Sequence, residues 1–361
     1  MKKIFGLLIA LLCISSMSNA AITGGLQKYA QVVQVAKTGG QFTSIQSAIN
    51  SITDASATKP YCVQVNSGVY NESITMKPYV DLVGVDRDSC IITQATGTVI
   101  TFSSYETIAN LTVTSTLPTG TTNIIAGDSS AGTNIDNIKV VCSNLGGQTV
   151  TGISTYLSVG STNMTIKDVI FDIANGANSR GIMATLAVNL LVNNCRYITG
   201  ASGTLINTRN SSSATIQNCY SIGYGITFTQ NAGNVTTISK NNYFVATTVS
   251  PGTNSVSSTL NSYNDYIGTL TLTAAATRVA TCNAYASTIA TVTKSGSGGT
   301  ETFNSYGSII GNTTFGNTYA TTPELYALGA SFAEGSTAYV TSAHKLYVRG
   351  ASTWEAITSA P

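Results

Sequence analysis

An asparagine or aspartate recurs along this chain two places ahead of a larger residue, and no other feature constrains the fold as much. The series is Asn110-Leu-Thr, Asn137-Ile-Lys, Asp168-Val-Ile, Asn194-Cys-Arg, Asn218-Cys-Tyr, Asn242-Tyr-Phe, Asn264-Asp-Tyr, Asn283-Ala-Tyr and Asn304-Ser-Tyr, at spacings of 27, 31, 26, 24, 24, 22, 19 and 21. A period of this size without a helical stripe implies stacked units that bury one another, and short alternating segments make those units β-rungs. The chain is expected to be all-β, a parallel β-solenoid, with the marked residues laddered at one corner. Stacked amides there would pass hydrogen bonds from rung to rung, a structural task rather than a ligand site. The nine rungs would rise about 40 Å.

Residues i and i+2 of a strand share a face, so Tyr220, Phe244, Tyr266, Tyr285 and Tyr306 are expected to stack in line with the ladder, inside the coil. If the strand breaks at that corner, the rings point outward and form a platform for glycans instead. The longer insertions, residues 117–133 and 143–163, would wall any lateral site.

Ahead of the ladder, Val33-Gln-Val-Ala-Lys alternates like a strand and Gly39-Gly40 turn it. Ile45, Ala48, Ile49 and Ile52 then fall on one helical stripe, with Thr43 and Gln46 at capping-box spacing. A short helix over residues 44–52 is expected to cap the open mouth of the solenoid.

Phe42-Thr-Ser-Ile-Gln-Ser-Ala-Ile, Val65-Asn-Ser-Gly-Val-Tyr-Asn-Glu and Leu82-Val-Gly-Val-Asp follow in order. Together they resemble the opening of pectin methylesterases and the wider pectate-lyase-like superfamily, over residues 33–95. The resemblance implies a right-handed parallel β-helix closed at its N-terminal end by a helix. It does not extend to the chemistry. The family's motifs of the type Gln-Asp-Thr-Leu, Asp-Phe-Ile-Phe-Gly and Leu-Gly-Arg-Pro-Trp are missing, and their nearest echo is Asp168-Val-Ile-Phe-Asp172 with Arg180 in the next turn. Were the chain an esterase or lyase, Asp168, Asp172 and Arg180 would be its catalytic candidates. Residues 190–320 hold only Asp265 and Glu301 as acids, too few for a two-carboxylate glycosidase or an oxygen-rich calcium cage.

The chain begins with Lys2 and Lys3, an apolar run from Ile4 to Ile14, and Ser18-Asn19-Ala20, the order of a secretory leader cleaved after Ala20. Without Lys2 and Lys3 the 17 basic residues fall to 15 against 15 acidic ones. Charged residues make up 9% of the chain, against about a quarter in ordinary soluble domains. No basic stripe exists for nucleic acid, and no later apolar run is long enough to span a membrane. Beyond the leader the cysteines are Cys62, Cys90, Cys142, Cys195, Cys219 and Cys282; with His344 as the single histidine, neither a metal site nor a cofactor site is expected. Neighbouring rungs bring equivalent positions within disulfide reach, which suggests Cys195 with Cys219 and Cys62 with Cys90, or alternatively free buried thiols.

Residues 321–361 break the period and form a β-meander, two strands around Ser342-Ala343-His344 and a third ending in Trp354. This tail is similar to short C-terminal modules of phage tail-fibre and other surface filament proteins. The domain reading is therefore a leader over 1–20, a β-helix over 21–320 and a terminal cap or association module over 321–361. The function it favours is an exported, non-catalytic surface, adhesive or filament-forming protein that touches polysaccharide or self-associates through its tail. Its alternatives are a divergent carbohydrate esterase or lyase, and a virus-derived glycan-binding spike.

Overall fold

A computed structural model describes residues 28–314 apart from 117–120, 128–130, 144–148, 156–162, 175–178, 186–188, 199–202, 210–212, 229–233, 252–256, 276 and 296–297, together with the strands 337–340, 345–349 and 354–356. The leader and His344 lie outside the described residues, and the two stretches expected as long insertions carry the strands Thr121–Gly127 and Thr149–Thr155.

The fold is a right-handed parallel β-helix. Face A is built from Gln31–Val35, Tyr61–Val65, Val80–Gly84, the first parts of Thr107–Ser115 and Asn134–Cys142, and then Thr165–Lys167, Leu190–Asn193, Ser213–Gln217, Val235–Lys240, Ser257–Tyr263, Val279–Tyr285 and Thr300–Tyr306. In the early rungs two further faces follow, B (for example Ile170–Ile173) and C (for example Arg180–Thr185). At Tyr220–Phe228 these merge. One strand spans both, with register shifts between Ser221, Tyr224 and Thr227, and among the described residues each later rung has two strands. The shrinking period seen in the sequence is this loss of a side.

The core follows from register. Val33, Val63, Leu82, Ile108, Ile135, Ile166, Val192 and Ile216 are partners in succession on face A and lie in one buried column. Each such side chain contributes about 1.5–3 kcal/mol of burial. The column then changes to Ser239, Ser262 and Ala284. Phe171 fills the space that Gly152 and Gly181 leave, since a Cβ on either glycine would come within 2.7 and 2.9 Å of its ring.

The helix is present as Ile45–Ser51, with Ile45, Ala48, Ile49 and Ile52 buried and packed on the first strands. Its N-cap is Ser44, not the Thr43 of the expected capping box. The Ser44 hydroxyl accepts from Ser47 N–H at 3.2 Å, and the Glu72 carboxylate accepts from the N–H groups of Ile45 and Gln46, both at 3.0 Å. A carboxylate from the adjoining rung thus supplies what a local glutamate would supply in a capping box.

Between faces A and B the chain turns on a single residue in the left-handed region. These residues are Asn110, Asn137, Asp168, Asn194, Asn218, Asn241, Asn264, Ala286 and Gly307, with φ between 49° and 64°. Asparagine recurs here because it tolerates that conformation with little penalty. Of the expected ladder, Asn110, Asn137, Asp168, Asn194, Asn218 and Asn264 stand at this turn, and three residues do not. Asn242 sits one place past the corner, while Asn283 and Asn304 sit three places before it, inside face A strands. The turning residues are also on the outside. Their amides bond from rung to rung in places, Asn137 to Asn110 at 2.9 Å, Asn194 to Asp168 at 2.6 Å and Asn218 to Asn193 at 2.9 Å.

The buried seam lies one place further on. Cys195 N–H donates to Cys219 Sγ (3.4 Å), Cys219 N–H to Asn242 Oδ1 (2.7 Å), Asn242 N–H to Asp265 Oδ1 (2.8 Å), Asp265 N–H to Ser287 Oγ (3.2 Å) and Ser287 N–H to Ser308 Oγ (3.0 Å). Each corner amide is thus satisfied by the side chain of the next rung, as burial requires.

The described cysteines are all buried free thiols. Cys195 and Cys219 do stack on adjacent rungs, but their thiols donate to main-chain carbonyls, Cys195 to Asn193 at 3.4 Å and Cys219 to Gln217 at 3.1 Å. Cys62 and Cys90 cannot pair, because Cys62 stands on face A beside Asp81 and Cys90 on face B beside Gly68. The tail strands 337–340, 345–349 and 354–356 form a separate antiparallel meander, its third strand starting rather than ending at Trp354.

Candidate functional site

The strands Ser257–Tyr263, Val279–Tyr285 and Thr300–Tyr306 repeat one pattern, Thr-x-Asn-x-Tyr. Alternation sends Leu260, Cys282 and Phe303 inward and the pattern residues outward. Since the strands pair in register, the outward residues form columns: Thr259, Thr281 and Thr302; Asn261, Asn283 and Asn304; Tyr263, Tyr285 and Tyr306. Asn304 Nδ2 donates to Asn283 Oδ1, and Asn283 Nδ2 to Asn261 Oδ1, each at 2.8 Å. The tyrosine rings stack at 4.7 Å between centroids, tilted by 8° and 9°.

A second column stands across the corner. Tyr220, Tyr243 and Tyr266 stack at 5.3 and 4.7 Å and are 40%, 43% and 38% exposed. The columns meet on the rung of Tyr263 and Tyr266, separated by the left-handed Asn264, which turns both rings outward. The expectation of interior stacking is therefore overturned for the tyrosines: the strand breaks at the corner, and only Phe244 points in, fully buried.

At these centroid distances the rings are offset like tiles and leave edges and hydroxyls to the outside. Burial within the stack, and repulsion from Tyr263 and Tyr306, push the Tyr285 phenol up. The outward pattern residues include no carboxylate and no basic side chain. Lys240, 5.9 Å from the Tyr263 ring centroid, adds one cation at the head of the column. The surface can make hydrogen bonds and apolar contacts to an uncharged polyhydroxylated partner, without a group suited to acid–base work.

The enzymatic candidates are not brought together. Asp168 accepts from Asn194 at the corner, Asp172 on face B faces Lys139 at 3.9 Å, and Arg180 begins a face C strand with Arg209 as its charged neighbour. Burial followed by that like charge lowers the Arg180 pKa. Asp265 and Glu301 are occupied structurally, Asp265 by Asn242 and by Ser262 (2.7 Å), Glu301 by the N–H of Ala274 (2.8 Å).

Sequence reasoning missed one pair of buried carboxylates, Asp81 and Glu106. Asp81 accepts from Tyr29 (2.6 Å), Lys28 (2.9 Å) and Thr107 N–H (2.7 Å). Glu106, 1% exposed, accepts from Ser103 N–H at 2.7 Å and Thr133 at 3.4 Å, and burial pushes its carboxyl up to about 7. A carboxyl titrating near neutrality suits a general acid, but this one is closed off and serves the turn that precedes face A. Sequence reasoning also missed the outward columns, although the Thr-x-Asn-x-Tyr repeats at spacings of 22 and 21 were there to be found.

No protein-family model matches this chain, and no curated protein does. Among solved structures it resembles a deglycosylated pectin methylesterase from Aspergillus niger (TM-score 0.45, 14% identity, 65% of this chain and 85% of that one). It also resembles a pectin methylesterase from carrot (0.36, 10%, 83% and 91%) and the catalytic domain of a GH87 alpha-1,3-glucanase (0.38, 12%, 80% and 68%). The likeness is one of fold alone.

Proposed function

We propose that this protein is an exported, non-catalytic β-helix that attaches to polysaccharide through the tyrosine-flanked corner of its C-terminal rungs. The observation that carries this reading is the pair of outward tyrosine columns on either side of Asn264. Stacked aromatic residues with free edges, set among amides and hydroxyls, are a means of holding sugars, whose C–H faces are apolar and whose rims are polar. The scattered positions of Asp168, Asp172 and Arg180 support attachment over hydrolysis. The leader-like start supports export, and the antiparallel tail sheet is a candidate for self-association.

The test is retention of the purified full chain on a panel of immobilised polysaccharides, with release of acid, methanol and unsaturated or reducing ends followed in parallel. Retention without turnover is expected, weakened roughly a hundredfold by the double change Tyr243→Ala and Tyr285→Ala. Turnover at ordinary enzyme rates, or no retention on any polysaccharide, would sink the proposal.

A further inference from the structure

The Thr-x-Asn-x-Tyr face is periodic in two directions. Along the helix axis its tyrosines repeat every 4.7 Å. Across it, alternate residues of a strand lie about 6.7 Å apart. We propose that this face binds an ordered, insoluble, uncharged polysaccharide whose neighbouring chains cohere through acetamido groups. This inference rests on the polysaccharide-binding reading and names the ligand class within it.

Three observations lead there. The first is rigidity. The rings stack, the asparagine amides bond to one another, and directly beneath them Ser262 Oγ bonds Asp265 Oδ2 at 2.7 Å and Ser287 Oγ at 3.0 Å. A stiff array of individually weak contacts gains affinity by repetition only if the partner repeats in step. A flexible single chain must first lose its conformational freedom on such a surface, whereas an ordered solid has already lost it.

The second is the amide column. Asn261, Asn283 and Asn304 form a chain of side-chain N–H···O=C bonds. Stacking through such bonds sets a repeat of about 4.8 Å, the same distance that separates hydrogen-bonded strands. A solid whose sugar chains are joined by their acetamido groups acquires that repeat for the same reason. A fibre joined through hydroxyls alone has no such constraint. The amide at the edge of the solid can then meet the asparagine column in register, one rung to one chain.

The third is charge. The outward residues of the three strands are threonine, asparagine, tyrosine and other side chains without a formal charge, and Lys240 stands at the head of the tyrosine column. An anionic polymer would lose water from its charges over this face without gaining counter-charges.

The experiment measures depletion of the full-length protein from solution by chitin powder and by cellulose powder of equal surface area, with soluble chitin oligomers as competitor. Expected are at least tenfold tighter retention on chitin and no displacement by the soluble oligomers at equal sugar concentration. Asn283→Asp and Tyr285→Ala should each weaken retention roughly tenfold. Tyr105→Ala, on a distant exposed ring, should bind like the parent. A thermal melt of each variant separates lost binding from lost folding, and Asn283→Gln, which keeps the amide but moves it out of register, provides a second reading of the same column.

Equal retention on both solids, displacement by soluble oligomers, or parental binding by Asn283→Asp would overturn the inference. Binding of soluble glycans that is lost with Tyr243→Ala would overturn it while leaving polysaccharide attachment in place; no retention on any polysaccharide removes both. Depression of the freezing point without chitin retention would also overturn it, assigning the array to ice.

Discussion

At the corner between faces A and B, the first and second halves of the helix carry opposite chemistry on the inside. Inside the corner, the earlier rungs carry Leu111, Ile138 and Val169, and the later ones Asn242, Asp265, Ser287 and Ser308, with Cys195 and Cys219 between them. The face A column changes in the same place, from Ile216 to Ser239 and Ser262. The apolar half has three faces, the third carried by residues 121–127 and 149–155 among others, and the polar half has two described strands to a rung. Branched aliphatic side chains hold neighbouring rungs together without fixing their register closely, because dispersion is not directional. A chain of hydrogen bonds from each rung's side chain to the next rung's amide does fix it. The outer columns of threonine, asparagine and tyrosine are regular where the inside is polar, and the inner seam is the physical reason.

This contrast can be broken experimentally. The largest effect is expected in the apolar half: Ile166→Ala should cost about 2–5 kcal/mol in chemical denaturation, because nothing can collapse into the space. A cost under 1 kcal/mol would mean the column is not tightly packed.

Next in size is a pH effect at Glu106. Its carboxyl is raised by burial from 4.5 to about 7, so the folded state favours the protonated form. The stabilisation it gives is complete below pH 4.5 and is lost as the pH rises through about 7, a loss on the order of 3 kcal/mol. Stability measured against pH should decline over that window in the parent and be flatter in Glu106→Gln. Parallel curves would remove the assignment.

In the polar half, Asp265→Ala would leave the Asn242 N–H without its acceptor and remove one partner of Ser262, and should cost about 1–3 kcal/mol. It should also loosen the Tyr243–Tyr266 stack, seen as faster hydrogen exchange on those rungs than after Ile166→Ala. The smallest effect has the opposite sign. Thr237, buried within the same half, has a hydroxyl with no partner. Thr237→Val, equal in shape, should raise stability by about 1 kcal/mol, and a melting temperature that falls would show that the hydroxyl is satisfied in solution.

Much of the scaffold was legible because it is local. Ile45, Ala48, Ile49 and Ile52 mark one helical face whatever they pack against, and asparagine marks the turn because few other residues accept its backbone conformation. The later corners were mistaken for a simple reason. Ala286 and Gly307 turn the chain without asparagine, so Asn283 and Asn304, three places earlier, were assigned to the ladder in their stead. The cap was half legible: Ser44 is adjacent to the expected residue, but Glu72 arrives from another rung.

The sequence by itself determined a coil of parallel rungs, its period and its N-terminal cap, since these depend on alternation, turning residues and a helical stripe that any neighbour would satisfy. The tertiary structure alone decided which side of the wall each polar residue occupies. A shift of one place along a strand exchanges inside for outside. That single place separates Asn241 at the turn from Asn242 in the buried seam, and turns the tyrosines beside Asn264 outward while Asp265 points in.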